Sequence, residues 1–129
     1  VVKIKRVGPC QLIGFPSEKL EHLMEIRGLG IIDLKEMFGV ACVSPVAKIE
    51  LAIQLEIWNP ETEYDRLGLD EKTIEMLGVN IPQIIIPLQP GRNIAVIVEV
   101  AAMNQRLKKM GKFSAKDFDQ KLLKRLTKE

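Results

Sequence analysis

The sequence predicts an α/β fold: a mixed sheet with packed helices, closed by two consecutive helices at the C-terminus. Three stretches carry that reading. "VAKIELAIQLEIW", residues 46–58, alternates strictly between apolar and polar positions, the period of a strand. "PQIIIPL", residues 82–88, is short and apolar enough to be a central strand. "RNIAVIVEVAAMNQRLKKMG", residues 92–111, opens with β-branched strand composition. It nevertheless runs on without a breaker through Ala101, Ala102 and Met103 to a basic last turn and Gly111, which favours a helix.

The remaining elements follow in order. "VVKIKRV" and "QLIGFP" read as two strands joined by the short turn "GPC". Ser17 and Glu18 can start a short helix, "SEKLEHLM", with Leu20, Leu23 and Met24 on one face. "DLKEMFG", residues 33–39, is framed as a short helix by an N-capping Asp33 and a closing Gly39. Within residues 46–58, Ile49, Leu51, Ile53, Leu55 and Ile57 are expected to face the core, with Trp58 as a core-edge aromatic. "NPETEYDRLGLDEKT" is polar, turn-rich and long for a connection, which marks a functional loop. "TIEML" supplies a further strand. The last helix starts at Ser114, with Asp117 three positions on, and sets Phe118, Leu122 and Leu126 in a narrow apolar stripe under a basic face.

Length and composition limit the possible functions. The 129 residues suit a single domain, 1–129, and no apolar run approaches the length that spans a bilayer, so a soluble, cytoplasmic protein without membrane partners is expected. Val1 stands in a strand already under way, which suggests a piece of something larger. Cys10 and Cys42 lack CxxC partners and read as buried free thiols. Residues 1–105 carry 10 Lys/Arg and 14 Asp/Glu, whereas residues 106–129 carry 9 and 3. A basic tail on a mildly acidic body suits an acidic protein partner better than nucleic acid, because Phe113 and Phe118 are its only aromatic residues for stacking bases.

Three spots could carry chemistry. "EIRGLGIID", residues 25–33, holds half a GxGxxG pattern after a predicted helix rather than a strand, so a dinucleotide site is weakly supported. Glu25 suits Mg²⁺, and Arg27 beside backbone freed by Gly28 and Gly30 suits a phosphoryl group; a helix C-cap and hairpin with an ordinary ion pair explains these residues equally well. Asp65 and Arg66 form either a solvated charge pair or an arginine on a mobile loop, as phosphoryl-transfer enzymes use. "PLQPGR", residues 87–92, joins stiff prolines, Gly91 and Arg92 at a helix start, either an anion site or a rigid turn. His22 has no catalytic partner at suitable spacing and belongs to the surface or its boundary. The chain contains no GxxxxGK[ST] nucleotide loop.

"LMEIRGLGIIDLKEMFG", "LEIWNPETEYDRLG" and "IIIPLQPGRNIAVIVEVAAMNQRLKKMG", in that order, closely resemble the C-terminal catalytic domain of bacterial HPr kinase/phosphorylase, from about Glu18 to Leu126. The resemblance implies the rear half of a P-loop kinase domain of the PEP carboxykinase-like kind. It implies a bifunctional enzyme that uses ATP and Mg²⁺ to phosphorylate a serine of HPr, the phosphocarrier of the sugar phosphotransferase system, in carbon catabolite regulation. The same enzyme would remove that phosphate with inorganic phosphate, releasing pyrophosphate. On this likeness Glu25 helps hold Mg²⁺, residues 24–33, with Arg27, Gly28 and Gly30, form a signature needed in both directions, and Arg66 is the catalytic arginine. Gly91 and Arg92 belong to a loop needed chiefly for dephosphorylation. Family members are hexamers whose final helix reaches toward HPr or a neighbouring subunit. The P-loop, a catalytic His and the proton-exchanging Asp of the family are not in this sequence, which implies a chain cut just after its base, inactive alone and with its opening strand short of a parallel partner. A noncatalytic interaction or oligomerisation module, docking an acidic partner through the basic final helix, is the alternative from a different class.

Overall fold

A computed structural model describes residues 2–128 and shows a mixed α/β chain that divides into two compact units. The first holds residues 1–49 and 75–80, the second residues 50–74 and 81–129.

In the first unit, β1 (Val2–Val7) and β2 (Gln11–Pro16) form the expected antiparallel hairpin, and β5 (Ala47–Lys48) pairs with the far side of β2. The opening position of the first predicted strand, Val1, lies outside the described residues. Leu12 on β2 is wholly enclosed, and Val79 is the unit's other buried apolar side chain among the described residues. The Arg6 guanidinium donates to the carbonyls of Gly8, Pro9 and Leu77 at 3.1, 2.9 and 3.2 Å, tying the β1–β2 turn to the turn at residues 77–78. A second antiparallel pair, β3 (Leu23–Ile26) and β4 (Gly30–Asp33), leads into α1 (Leu34–Phe38). Asp33 caps α1 as predicted, its Oδ1 accepting the N–H of Glu36 at 3.1 Å.

The helix predicted over residues 17–24 does not form. A single 3₁₀ turn covers Glu18–Leu20, and His22 then takes a φ of 67°, a left-handed conformation that no α-helix continues through. Leu23 and Met24 enter the β3–β4 ladder instead, so tertiary pairing overrides a short helical pattern.

A third sheet has the order β6-β8-β7: β6 (Ala52–Ile57) runs parallel to β8 (Val79–Leu88), and β7 (Lys72–Met76) lies on the other side of β8. The strand expected to be central is central, and Ile81 and Ile86 on it are buried. Helix α2 (Ile94–Lys109) is followed by α3 (Ser114–Lys128), the two predicted terminal helices. Lys109 near the end of α2 pairs with Glu50 just ahead of β6. Among the described residues no helix is long and apolar enough to cross a membrane.

Residues 46–58 are two strands rather than one. Residues 47–48 belong to the sheet of β2, residues 52–57 to that of β8, and the Ile49 N–H to Leu12 carbonyl bond, 3.0 Å, is the last tie before the chain changes sheet. The expected inward face holds only in part: Ile49, Leu51 and Ile53 are half-buried, but Leu55 is 48% exposed and Ile57 84%, because β6 is an edge strand whose alternation does not decide which side is covered. Both cysteines are exposed, correcting the expectation of buried thiols; Cys42 Sγ donates to the carbonyls of Gly39 and Leu34, so local hydrogen bonds rather than burial accommodate it.

Candidate active site

Two loops leave the same edge of one parallel ladder. β6 ends at Ile57 and β8 at Leu88, which are register partners, and the Trp58 N–H donates to the Leu88 carbonyl at 3.1 Å. Because the strands run the same way, the polar loop after β6 and the proline loop after β8 both emerge at carboxyl ends, where open α/β sheets place their ligands. A cavity of about 550 Å³ lies between these loops, and its walls include Trp58, Tyr64, Arg66, Lys72 and Arg92.

The two arginines are held differently. Arg66 sits on an exposed loop and, among the described residues, makes no ion pair or hydrogen bond, which leaves all its donors available to a ligand. Arg92 donates from Nη1 to the Pro87 carbonyl at 3.1 Å and from its backbone N–H to the Gln89 carbonyl at 3.3 Å, which folds residues 87–92 into a closed turn. Gly91 in that turn has a φ of 86°, and a Cβ there would meet no atom within 4 Å, so conformation rather than space demands glycine. Next in the chain, Asn93 accepts the Val96 N–H on its side chain at 3.2 Å and caps α2. Asn93→Ala should therefore lower stability by about 1 kcal/mol, read as a reduced midpoint in urea at unchanged slope.

The hairpin of the first unit gathers Glu25, Arg27, Gly28 and Gly30. Ile26 pairs with Gly30, and the Leu29 N–H donates to the Ile26 carbonyl at 3.0 Å around a turn with Gly28 at φ 89°. A turn of that type needs a positive φ at its third residue, which explains Gly28 without any ligand. Gly30, at φ 100°, opens β4. A strand, not a helix, precedes the glycines, and Glu25 and Arg27 form no ion pair among the described residues. The expected hairpin is present, whereas the expected helix before it and, among the described residues, the ion pair are not.

Glu25, exposed on β3 opposite Ile31, lines a largely apolar groove of about 790 Å³ with Phe15, His22 and Met24. Among the described residues no three His, Cys, Asp or Glu side chains gather as a metal cage. A single carboxylate fits Mg²⁺ when phosphate oxygens and water complete the shell, the usual arrangement for that ion.

Sequence reasoning brought Arg66 and Arg92 forward and missed three neighbours. Asn93 ahead of an apolar run is an N-cap signal that was legible. Lys72 had none, since nothing local says which side of β7 faces the cavity. Trp58 is 42% exposed and walls the cavity instead of closing a core.

Residues 1–122 match the family model for the HPr Serine kinase C-terminal domain. The chain belongs to that family. Among curated relatives, the HPr kinase/phosphorylase of Caldicellulosiruptor bescii is 50% identical over 126 residues, 98% of this chain and 40% of that protein. The HPr kinase/phosphorylase of Geobacillus thermodenitrificans is 51% identical over 121 residues, 94% of this chain and 39% of its own length. This member of the HPr kinase family thus spans about 40% of the length of those relatives. The solved HPr(Ser) kinase/phosphatase of Coxiella burnetii superposes with a TM-score of 0.75 at 33% identity, covering 91% of this chain and 71% of that one. The α/β fold read from the sequence is the fold of that HPr kinase.

Proposed function

We propose that residues 1–129 form the rear part of a single catalytic domain in a cytoplasmic, ATP- and Mg²⁺-dependent kinase and phosphorylase that acts on a serine of HPr and so serves carbon catabolite regulation. Family membership supports this reading, and one observation carries it: Arg66, with no partner inside the described protein, shares a cavity wall with Arg92 at the carboxyl ends of parallel strands.

In the forward reaction the serine oxygen attacks the γ-phosphorus of ATP, the bond to the ADP oxygen breaks, and the serine proton passes to a base outside this sequence. Arg66 neutralises charge on the oxygens of the phosphoryl group in flight. In reverse, an oxygen of inorganic phosphate attacks the phosphoserine phosphorus, pyrophosphate forms, and the serine oxygen takes a proton. Two anions must then be held together, and Arg92 on its stiff turn suits the second. Glu25 would offer one oxygen to Mg²⁺, which when bound supplies neutralisation of the phosphate charges. HPr is the partner, and a hexamer is the expected assembly of the complete enzyme.

The test is the complete protein that contains this sequence, assayed with ATP, Mg²⁺ and HPr for phosphoserine, then with phosphate and phospho-HPr for pyrophosphate. Both products are expected; the absence of both would sink the proposal. This chain by itself is expected to transfer no phosphate at saturating ATP, because no GxxxxGK[ST] loop is present to cradle the nucleotide. Measurable turnover of the chain alone would show that Arg66 and its neighbours position ATP unaided.

A second reading rests on α3, where Phe118, Leu122 and Leu126 are exposed under a basic face. Such a helix suits docking to an acidic protein without catalysis. Binding to HPr that survives moderate salt, with random DNA bound weakly or not at all, would favour a protein partner over nucleic acid.

A further inference from the structure

A carboxylate next to an arginine in an exposed loop ordinarily pairs with it or stays in water. Asp65 does neither. Its Oδ1 accepts the N–H groups of Leu67 and Gly68 at 3.1 and 2.8 Å, and its Oδ2 accepts that of Asp70 at 3.3 Å. Three backbone donors occupy the side chain, so the loop wraps around Asp65 and the carboxylate is withheld from the adjacent guanidinium. The preceding residue is also fixed: Tyr64 Oη accepts the Asn59 N–H at 3.0 Å, while Thr62 N–H donates to the Asn59 carbonyl at 3.1 Å. Arg66 lies inside the second of these clips and, among the described residues, makes no hydrogen bond or ion pair of its own; it lines three cavities of the second unit.

We infer that Asp65 is a positioning residue for Arg66: by engaging the N–H groups of Leu67, Gly68 and Asp70 it holds the loop in one shape and keeps the guanidinium free for a phosphoryl group. The inference rests on the reading of Arg66 as the charge-neutralising arginine. Its chemistry asks only for an acceptor, not for a negative charge, since the partners are amides. Asparagine keeps an oxygen for Leu67 and Gly68 and loses only the longer bond to Asp70. Alanine loses all three.

The experiment uses the complete enzyme and compares Asp65→Ala, Asp65→Asn, Arg66→Ala and the double alanine variant. Asp65→Ala should lower kcat about tenfold in both directions with KM for ATP within about twofold, the pattern of a lost transition-state contact. Asp65→Asn should recover most of that rate. The double variant should be no slower than Arg66→Ala, because the two residues act as a unit. Hydrogen exchange over residues 65–70 should rise in the alanine variant and not in the asparagine one, a readout independent of turnover. Additive losses, an asparagine variant as slow as alanine, or an alanine variant at the wild-type rate would each overturn the inference. If Arg66→Ala is slow while Asp65→Ala is not, only the positioning role fails; if Arg66→Ala itself runs at the wild-type rate, the reading of Arg66 falls and this inference falls with it.

Discussion

Arg66→Ala in the complete enzyme is expected to slow both phosphorylation of HPr and its reversal by about 10³-fold, with ATP affinity within about threefold of wild type. The size follows from what an arginine does at a transferring phosphoryl group: it meets charge that exists only in the transition state. Both directions should suffer alike, because they pass through the same kind of transition state. The fold should not, since the side chain is exposed and has no hydrogen bond or ion pair among the described residues to lose. Single-turnover rates and nucleotide titration separate the effects. A large loss of ATP affinity would make Arg66 a ground-state binder and overturn the role assigned to it.

Arg92→Ala should depress phosphorolysis by about 10²-fold and ATP-driven phosphorylation much less, since only the reverse reaction must hold inorganic phosphate beside phosphoserine. The Arg92 to Pro87 bond complicates a bare alanine result, because losing it loosens the turn as well as removing charge. Arg92→Lys resolves this: lysine keeps the charge but not the planar fork. Partial recovery of phosphorolysis in the lysine variant fits an anion site. Equal losses in both directions for the alanine variant would remove the assignment of residues 87–92 to dephosphorylation.

The sequence disclosed the fold wherever local chemistry agreed with tertiary pairing. Asp33 and Gly39 framed α1, the unbroken run through Ala101 and Ala102 outweighed the β-branched start of α2, and the apolar "IIIPL" marked the central strand. It misled where one pattern served two partners. The alternation of residues 46–58 is the same whether they join one sheet or two, and the change shows only in their pairing, residues 47–48 with β2 and residues 52–57 with β8. Leu20, Leu23 and Met24 fit a helical face, but the left-handed turn at His22 depends on pairing with residues 30–33 that no local window contains. The site was legible as isolated stretches: "EYDRLG" and "PLQPGR" each suggested an anion, while their meeting at one cavity depends on the parallel direction of β6 and β8. Nothing in the residues themselves said that Asp65 turns to its own backbone rather than to Arg66.

The pairing of Ile57 with Leu88 has an evolutionary reading as well as a geometric one. It pins the roots of both loops, so either loop can lengthen, shorten or change sequence while its anchor stays in register with the other. On the proposed function, variation after β6 would tune the step common to both reactions, and variation after β8 the one that consumes inorganic phosphate. A lineage could thus rebalance writing and erasing of the same mark by editing a single short loop, without rebuilding the sheet beneath it.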